Sequence, residues 1–392
     1  MNSIFKYKEN NGEVIITGLQ EGVAETAIVI PETIGNMPVV EIGPKAFEFS
    51  TITDIKIGKN IRKIEKEAFA HCRKLSSVTW NCKYNTIPDN CFYRCTELKK
   101  FDFTAIKRVG QYAFGESGLQ EVYIPQNIEM IGIGAFNICS ELHSVTWNGT
   151  CDVIPTSCFY LCSNLKSFNF SAIKKVGQYA FVESGLQEVC LQKNIEILED
   201  GTFSRCNELR SVTWNCTCDV IPNFCFAVCS NLTNFDFSGI KKIGKYAFKE
   251  SGLQEVWLSE SIKNIEEGTF KECSGLRSVT WNCTCDVIPA LCFAVCSNLT
   301  QFDLSGIKKV GTSAFEKSGL TSVTLSKGTI VCKKCFVHCK SLAKVEWLSA
   351  RNIEGNIFAG CKNIKEIYIS DKVKNIEANA FVSSPNAEIT FV

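Results

Sequence analysis

The sequence predicts a solenoid, a chain of short β-rich coils stacked one on the next. Phenylalanine recurs at intervals of 21 to 23 residues in the 392-residue chain, and the residue five positions before each Phe is always apolar. A length of 392 alone would suggest two or three globular domains. A fixed period of about 22 residues is instead typical of repeats that contact only their neighbours. We therefore expect one elongated, curved domain of sixteen coils, with Phe at positions 47, 69, 92, 114, 136, 159, 181, 203, 226, 248, 270, 293, 315, 336, 358 and 381.

Aligning the coils on this Phe assigns a role to each column. The residue before it is mostly Ala or Cys, and the residue three after it is Cys or Ser. A Leu or Ile and a short segment follow, such as Val78-Thr79-Trp80, Phe101-Asp102-Phe103 or Val122-Tyr123-Ile124. Because side chains alternate along a strand, the first and third residues should point inward and the middle one outward. Each coil is thus predicted to contribute one short parallel strand to a continuous sheet face.

A period of 67 residues is superimposed on the short one, so three coil types rotate. We call them Trp coils, which end in Ser-Val-Thr-Trp as at 77–80; Pro coils, which contain Ile-Pro and later Cys-Ser-Asn-Leu as at 221–232; and Gly coils, which contain Glu-Ser-Gly-Leu as at 183–186. The order indicates a three-coil module duplicated in tandem. Residues shared between modules can therefore be copies.

The two ends depart from the repeat, as expected where a terminal coil must be covered. We predict an N-terminal β cap over residues 1–40, with a turn at Asn10-Asn11-Gly12 before a strand from Glu13. The solenoid spans 41–382 and a capping strand spans 383–392. The first residues lack the apolar core of a signal peptide, and no stretch approaches 18 apolar residues, so no transmembrane segment is expected.

The motif Ile-x-x-Ile-x-x-x-Ala-Phe-x-x-Cys-x-x-Leu-x-x-Val-x-Ile, seen at 61–80 with Trp in the last place, resembles the BspA-like leucine-rich repeat. The Ser-Val-Thr-Trp-Asn-Cys and Cys-Ser-Asn-Leu variants are similar to surface-antigen sets of parasitic protists within that family. The resemblance covers about residues 25–392 and implies a leucine-rich repeat solenoid. It also implies a surface protein that binds host matrix or host cells, or that mediates aggregation.

Composition and motifs argue against several function classes. The 42 basic residues balance 41 acidic ones, for a net charge of +1, which lacks the basic excess of a nucleic-acid binder. Only three histidines occur, and none lies in a metalloenzyme motif. No phosphate-binding loop or nucleophile motif is present. We expect no enzyme activity, no catalytic residue, no metal and no cofactor.

The 23 cysteines mostly follow the repeat. Ten lie three residues after the Phe, five lie one before it, and three, Cys151, Cys218 and Cys285, occupy an inward Ile column. These eighteen positions favour buried packing over disulfides or metal sites, because a free Cys behaves as a small apolar residue. Cys-x-Cys at 216–218 and 283–285 gives weak evidence for zinc, since one thiol should point inward and the other outward. Cys190 falls on the outward column and is a candidate reactive thiol.

The outward strand column is the best candidate for binding, because solenoids bind through extended surfaces and exposed Tyr and Trp often anchor interfaces. We predict contact residues at Tyr123, Trp257 and Tyr368, and at the recurring polar positions Asp102, Asn169, Asp236 and Asp303. The alternative is a Thr-rich sheet surface without a ligand. Trp80, Trp147, Trp214 and Trp281 should belong to the core.

Lysine pairs recur at Lys107-Arg108, Lys174-Lys175, Lys241-Lys242 and Lys308-Lys309. They could form a basic stripe for sulfated glycans, or a solvated edge balanced by Glu116, Glu183 and Glu250. The sequence thus predicts a non-enzymatic adhesion protein at the cell surface or secreted, which recognises a protein or glycan, including host matrix or a host cell surface. The alternative is an intracellular protein-interaction scaffold in the cytoplasm.

Overall fold

The computed structural model describes residues 3–392, so the first two residues of the predicted cap lie outside the described part. Internal contacts divide the chain into two units, one ending at Ile197 and one running from Leu198 to Val392. Both are built from stacked coils of short strands and turns, and the described residues contain no helix. The predicted β solenoid is confirmed.

The first described residues form a β-hairpin. Strand Phe5–Asn10 pairs antiparallel with Glu13–Leu19 across the predicted turn, where Asn11 and Gly12 both have positive φ, at 49° and 77°. Two positive φ values match a hairpin turn whose twist fits that of the strands. The second strand pairs in parallel with Met37–Ile42, which also forms a small antiparallel pair with Thr33–Ile34. The hairpin thereby joins the backbone of the first coil.

A first set of strands carries the predicted alternation of side chains. In the Gly and Trp coils the strands pair in parallel and in register, as Glu255–Leu258 does with Ser278–Trp281. The inward residue Val256 is buried, and the outward residue Trp257 is exposed. The strands of this set are Ala27–Val29, Asp54–Ile57, Ser77–Trp80, Glu121–Ile124, Ser144–Trp147, Glu188–Leu191, Ser211–Trp214, Glu255–Leu258, Ser278–Trp281, Ser322–Leu325, Lys344–Trp347, Glu366–Ile369 and Glu388–Phe391.

A second set of strands, two residues long, was not predicted. Each ends on the apolar residue five positions before the Phe, and adjacent strands pair in parallel, as Arg108–Val109 does with both Thr86–Ile87 and Met130–Ile131. A coil therefore contributes up to two strands where one was expected. The second set is Lys63–Ile64, Thr86–Ile87, Arg108–Val109, Met130–Ile131, Val153–Ile154, Lys175–Val176, Ile197–Leu198, Val220–Ile221, Lys242–Ile243, Asn264–Ile265, Val287–Ile288, Lys309–Val310 and Ile330–Val331.

The turn around each Phe is held by a third ladder of hydrogen bonds. Around Phe114, the amides of Tyr112 and Phe114 donate to the carbonyl oxygens of Ile133 and Ala135 in the next coil, both at 2.9 Å. Tyr112 and Glu116 have φ values of 51° and 54°, in the left-handed region. These conformations cost about 1 kcal/mol or more per non-glycine residue. They point every second amide N–H of the turn toward the next coil, where it can donate a hydrogen bond. The ladder thus satisfies backbone groups that no strand uses.

The phenylalanine column forms the centre of the core. Rings of successive coils stack nearly parallel, at centroid distances of 5.3 Å for Phe47–Phe69 and 5.6 Å for Phe270–Phe293. Phe293 is fully buried, and Trp281 and Phe302 pack against its edge at 6.0 and 5.2 Å. Such offset and edge contacts suit the aromatic quadrupole. Phe293 is thereby packed against the Phe rings of both neighbouring coils.

The C-terminal strand Glu388–Phe391 is present as predicted and pairs in parallel with Glu366–Ile369. Its residues stay exposed, including Ile389 and Phe391, which continue the inward columns of Ile367 and Ile369. The limits of cap, solenoid and terminal strand at residues 40 and 382 remain predictions.

Candidate functional site

The outward column of the first strand set forms the candidate binding face. Strand register places Tyr123 beside Thr146 and Trp257 beside Thr280. Tyr123 and Trp257 expose 53% and 54% of their surface. Tyr and Trp are common anchors of interfaces, because each combines a large apolar ring with one polar atom. The two side chains are free to contact a ligand.

Tyr368, the third predicted aromatic contact, is in a different environment. It is half-buried, and the ammonium of Lys344 lies 5.1 Å from its ring centroid. Lys344 also pairs with Glu346 at 2.8 Å, and Glu346 accepts a hydrogen bond from Thr324 at 2.9 Å. This network holds the Tyr368 ring by a cation–π contact. A ligand at Tyr368 would therefore meet a charged cluster as well as an aromatic face.

The Pro coils do not carry the predicted strand, which corrects both the strand at Phe101-Asp102-Phe103 and the continuous sheet face. The side chain predicted to point outward instead accepts a hydrogen bond from the backbone amide two residues later. The Asp102 carboxylate accepts from the Thr104 amide at 2.9 Å, and the Asp303 carboxylate accepts from the Ser305 amide at 2.8 Å. Short polar side chains compete in this way with strand pairing. The same turn is made by Asn169 with Ser171 and by Asp236 with Ser238.

Absence of that strand leaves a polar hollow in the face of the second unit. The hollow is about 540 Å³ in volume and lies between strands Ser278–Trp281 and Ser322–Leu325. Asp303 is part of its wall, together with hydroxyl side chains and one guanidinium that sequence reasoning missed: Arg277, Ser278, Thr300, Ser305, Ser322, Thr324 and Ser326. The recurring Asp was the available signal in the sequence. The polar residues of its own coil and of the two adjacent coils could have been added to the predicted site.

The first lysine of each recurring pair forms an ion pair with a carboxylate of a neighbouring coil. Lys241 pairs with Asp219 at 2.8 Å, and Lys308 pairs with Asp286 at 2.8 Å. The hydrogen bond from Lys308 lowers the pKa of Asp286. These partners differ from the predicted balancing residues, of which Glu116 bonds Arg94 instead. Lys174 pairs in the same manner with Asp152 at 3.1 Å, whereas Lys107 pairs with Glu129 of the following coil at 3.0 Å. Ion pairing of the first lysine in each pair argues against a stripe built from both basic residues of every pair.

Cysteines three residues after the Phe form a ladder of thiol hydrogen bonds. The thiol of Cys95 donates to the carbonyl oxygen of Phe69 in the coil before it at 3.2 Å, and Cys273 does so to Phe248 at 3.1 Å. Ser251 lies 3.4 Å from the Cys273 sulfur, so Ser and Cys at this position are linked. The same bond to the preceding Phe is made by Cys72, Cys139, Cys162, Cys229, Cys296, Cys339 and Cys361. Buried packing of this column is confirmed.

These buried thiols should resist alkylation at mildly alkaline pH. Burial raises the pKa of Cys273 from 9.0 to about 12, so its thiolate fraction at a given pH near 8 falls about a thousandfold. Only thiolate reacts readily. We expect N-ethylmaleimide to modify the exposed Cys190 first in the native protein, and Cys273 only after denaturation. Peptide mass spectrometry at several times measures both rates; comparable native rates at Cys190 and Cys273 would contradict the burial of this column.

The cysteines after the Trp strands differ from the prediction. Cys151, Cys218 and Cys285 are half-buried, while Cys82, placed outside the core columns, is buried. They lie in a loop closed by the indole N–H of the strand's last residue: Trp281 donates to Cys285 O and Trp147 donates to Cys151 O, both at 2.8 Å. A loop does not follow strand alternation, so inward and outward positions could not be read there. Trp147 is buried as predicted, and Trp80, Trp214 and Trp281 are half-buried.

The recurring carboxylate and amide side chains do not converge on one point in the described part of the chain. The described residues 3–392 hold no cluster of three or more side chains able to bind a metal ion. Within that same range, no helix has the length and apolar character to cross a membrane. The four recurring Asp and Asn residues lie in separate modules and each serves its own turn. The arrangement offers a surface for recognition.

Stacked coils with inward Phe, Leu and Ile columns and short parallel strands define a leucine-rich repeat protein. The chain belongs to the BspA-type leucine-rich repeat family: the model described as "BspA type Leucine rich repeat region" matches residues 40–166, 103–210, 152–276, 219–343 and 329–392. Proteins of this kind are generally non-enzymatic binding proteins. No curated protein sequence matches the chain.

Two solved structures show the same fold. A leucine-rich repeat protein from Bacteroides ovatus is similar with a TM-score of 0.74 and 23% identity, over 100% of this chain and 99% of that chain. A leucine-rich cell surface protein from Faecalibacterium prausnitzii is similar with a TM-score of 0.51 and 19% identity, over 100% of this chain and 94% of that chain. At these identities the likeness concerns the fold.

Proposed function

We propose that this protein is a non-enzymatic adhesion protein that binds a protein or glycan through the outward face of its first strand set. The observation that carries the proposal is the exposure of Tyr123 and Trp257, each more than half open on a strand position where its register partner is a Thr. An aromatic ring on a polar sheet face provides a large contact area at low entropic cost. It fits both a protein side chain and the apolar face of a sugar.

The hollow beside Asp303 supplies the polar part of the same site. Asp303 follows Thr280 by one coil and Trp257 by two, so at about 4.8 Å per coil the ring and the carboxylate are separated by about 10 Å along the stack. Hydroxyls of Ser278, Ser305 and Thr324 border the hollow. A ligand that spans this distance can rest on the ring and exchange hydrogen bonds with hydroxyls and a carboxylate. Asp236 and Tyr368 are proposed as further contacts within the second unit. In the first unit, Asp102 and Asn169 are proposed as contacts of the surface that carries Tyr123.

The cell-surface location belongs to this proposal. The likeness to a protein described as a leucine-rich cell surface protein supports it. Antibody staining of intact cells against permeabilised cells separates this location from the cytoplasmic scaffold: signal on intact cells supports adhesion, and signal only after permeabilisation favours the scaffold.

Replacing Trp257 by Ala should weaken binding by about thirtyfold, the loss of about 2 kcal/mol that marks an interface anchor. The probes are immobilised fibronectin, laminin and collagen, and a glycan array, which separate a protein ligand from a sugar. Trp257→Phe should retain most of the affinity. Thr79→Ala, which removes an exposed residue of the same column in another module, is the matched control and should bind like the unmodified protein.

The hollow can be tested without disturbing its turn. Asp303→Asn removes the charge while keeping the acceptor oxygen, because Asn169 makes the same turn in another module. A weakened affinity for Asp303→Asn with an unchanged unfolding midpoint would support direct contact. The proposal would be overturned if the unmodified protein bound none of the probes. It would also be overturned if Trp257→Ala bound as tightly as the unmodified protein.

A further inference from the structure

A second hollow of the second unit, here called the basic hollow, lies on the turns that follow the Phe in four successive coils. Its volume is about 840 Å³, within the range of about 300–1,000 Å³ that is typical of small-molecule sites. No carboxylate is among the described residues that line it. The side chains that matter for its chemistry are Lys317, Ser318, His338, Lys340, Lys362 and Asn363.

The shape of the basic hollow follows from two glycines. The Gly coil is one residue shorter than its neighbours at this turn, so Gly319 is drawn against the preceding coil, where its amide donates to Cys296 O at 3.1 Å. A Cβ at Gly319 would overlap the carbonyl oxygen of Ser297. Two coils further on, a Cβ at Gly360 would overlap the His338 ring. The absence of both side chains leaves the space open.

The lysines of the basic hollow are not neutralised as other lysines of this unit are. The first lysines of the recurring pairs bond aspartates at 2.8 Å. By contrast, the Lys317 ammonium lies 3.9 Å from the carboxylate of Glu316, beyond hydrogen-bond length. Neither Lys340 nor Lys362 forms an ion pair with any described residue. The basic hollow therefore keeps an excess of positive charge.

The stack sets the spacing of these charges. Lys317, Lys340 and Lys362 lie in consecutive coils, and the Lys317 amide donates to Val337 O in the next turn at 2.8 Å. Successive coils are about 4.8 Å apart. Like charges held this close repel one another, and an anion placed between them relieves the repulsion. The row of lysines is thus suited to a ligand with more than one negative group.

The tandem modules show that the turns do not require lysine. When coils are aligned on the Phe, the positions of Lys317, Lys340 and Lys362 hold acidic or neutral residues in the three earlier modules. The position of Gly360 holds Leu or Val there. The counterparts of the three lysines are Glu116, Ser140 and Ser163, then Glu183, Asn207 and Ser230, then Glu250, Ser274 and Ser297. Because the same fold forms without them, the three lysines indicate recognition of an anion.

We propose that the basic hollow binds a sugar that carries several sulfate or phosphate groups. Ammonium groups donate strong hydrogen bonds to such oxyanions, and the neighbouring hydroxyl and amide side chains can bond sugar hydroxyls. The volume far exceeds that of a single ion, so the charges belong on a larger frame. None of the lining residues belongs to the first strand set, so this site is separate from the adhesion surface proposed above.

Isothermal titration calorimetry of the full chain tests the proposal with two probes, a heparin-derived sulfated tetrasaccharide and inositol hexakisphosphate. We expect at least one of them to bind, with an affinity that falls as salt is raised. Binding of only one probe would identify its ester as the recognised group. The desulfated tetrasaccharide and unmodified inositol should bind at least about tenfold more weakly. Absence of binding by both charged probes would contradict the proposal, as would equal binding of the uncharged forms.

Variants locate the site. Lys340→Gln and Lys362→Gln should each weaken binding about tenfold, the loss of roughly one charged hydrogen bond. Lys333→Gln is the matched control, because it removes an exposed lysine of the same coil as Lys340 that does not line the basic hollow. Equal losses for Lys333→Gln and Lys340→Gln would mean that binding reflects overall charge and would refute the site. Trp257→Ala should bind these probes normally, which separates this test from that of the adhesion surface; a loss there would place the ligand on the strand face instead.

Discussion

Replacing Phe293 by Ala is expected to lower the free energy of unfolding by about 4 kcal/mol, the range for removing a fully buried Phe. Phe293 stacks on Phe270 at 5.6 Å and on Phe315 at 5.4 Å, and it also packs against Trp281 and Phe302. Ala would leave a cavity that the stacked backbones cannot close, since the strand Val287–Ile288 and the hydrogen-bonded turn around Phe293 hold the spacing of the coils. Urea unfolding followed by circular dichroism measures the loss.

The matched control is Phe381→Ala at the end of the same column. Phe381 is half-buried, and within the Phe column it stacks on a single neighbour, Phe358, at a centroid distance of 5.2 Å. We expect a loss of about 1–2 kcal/mol there, because less apolar area leaves water on folding. Because repeats are coupled mainly to their neighbours, the Phe293 variant should also make unfolding less cooperative. A loss below 1 kcal/mol at Phe293 would mean that the Phe column does not carry the core.

The second large effect is expected for Gly252→Ala, at about 3 kcal/mol, the upper range for overpacking. A Cβ at Gly252 would lie well inside the contact distance of the Ser230 carbonyl oxygen and 2.9 Å from its carbon. The reason is chain length: Gly coils have one residue fewer between Phe and the next Leu than Trp coils have. The shorter path pulls the backbone against the preceding coil, where the Gly252 amide donates to Cys229 O at 3.1 Å.

Gly275 provides the control in the next coil. It stands in the same tripeptide, Ser-Gly-Leu, but a Cβ there would meet no atom closer than 3.4 Å. Gly275→Ala should change stability by less than about 0.5 kcal/mol. Thermal and urea unfolding of the two variants side by side make the comparison. Equal effects at Gly252 and Gly275 would contradict the close approach of the Gly coils. The copies Gly118, Gly185 and Gly319 make the same contact and should respond like Gly252.

The repeat made much of the fold predictable. Sixteen copies of the Phe and Ile columns defined inward positions, and side-chain alternation placed Tyr123 and Trp257 outside. Both inferences rest on spacing alone. The two-residue strands escaped because a pair of residues carries no alternation to detect. The ladder at Tyr112 and Glu116 escaped because left-handed conformations of ordinary residues have no side-chain signature.

The Pro coils show where alternation misleads. Phe101-Asp102-Phe103 alternates like a strand, yet the Asp102 carboxylate takes the Thr104 amide and the strand does not form. The residue type carried the missing information, since Asp and Asn are depleted in strands and favour such turns. The loop after Trp281 could not be predicted either, because it depends on the indole N–H of Trp281 donating to the carbonyl oxygen of Cys285.

The measurement that tests the account most directly compares Trp257→Ala with Thr79→Ala on the first matrix protein or glycan that the unmodified protein binds. Both side chains lie on the outward column, and both changes should leave the unfolding midpoint unaltered. The account predicts that Trp257→Ala loses about thirtyfold in affinity while Thr79→Ala keeps it. Equal affinity of the two variants would show that the outward face around Trp257 is not the binding surface.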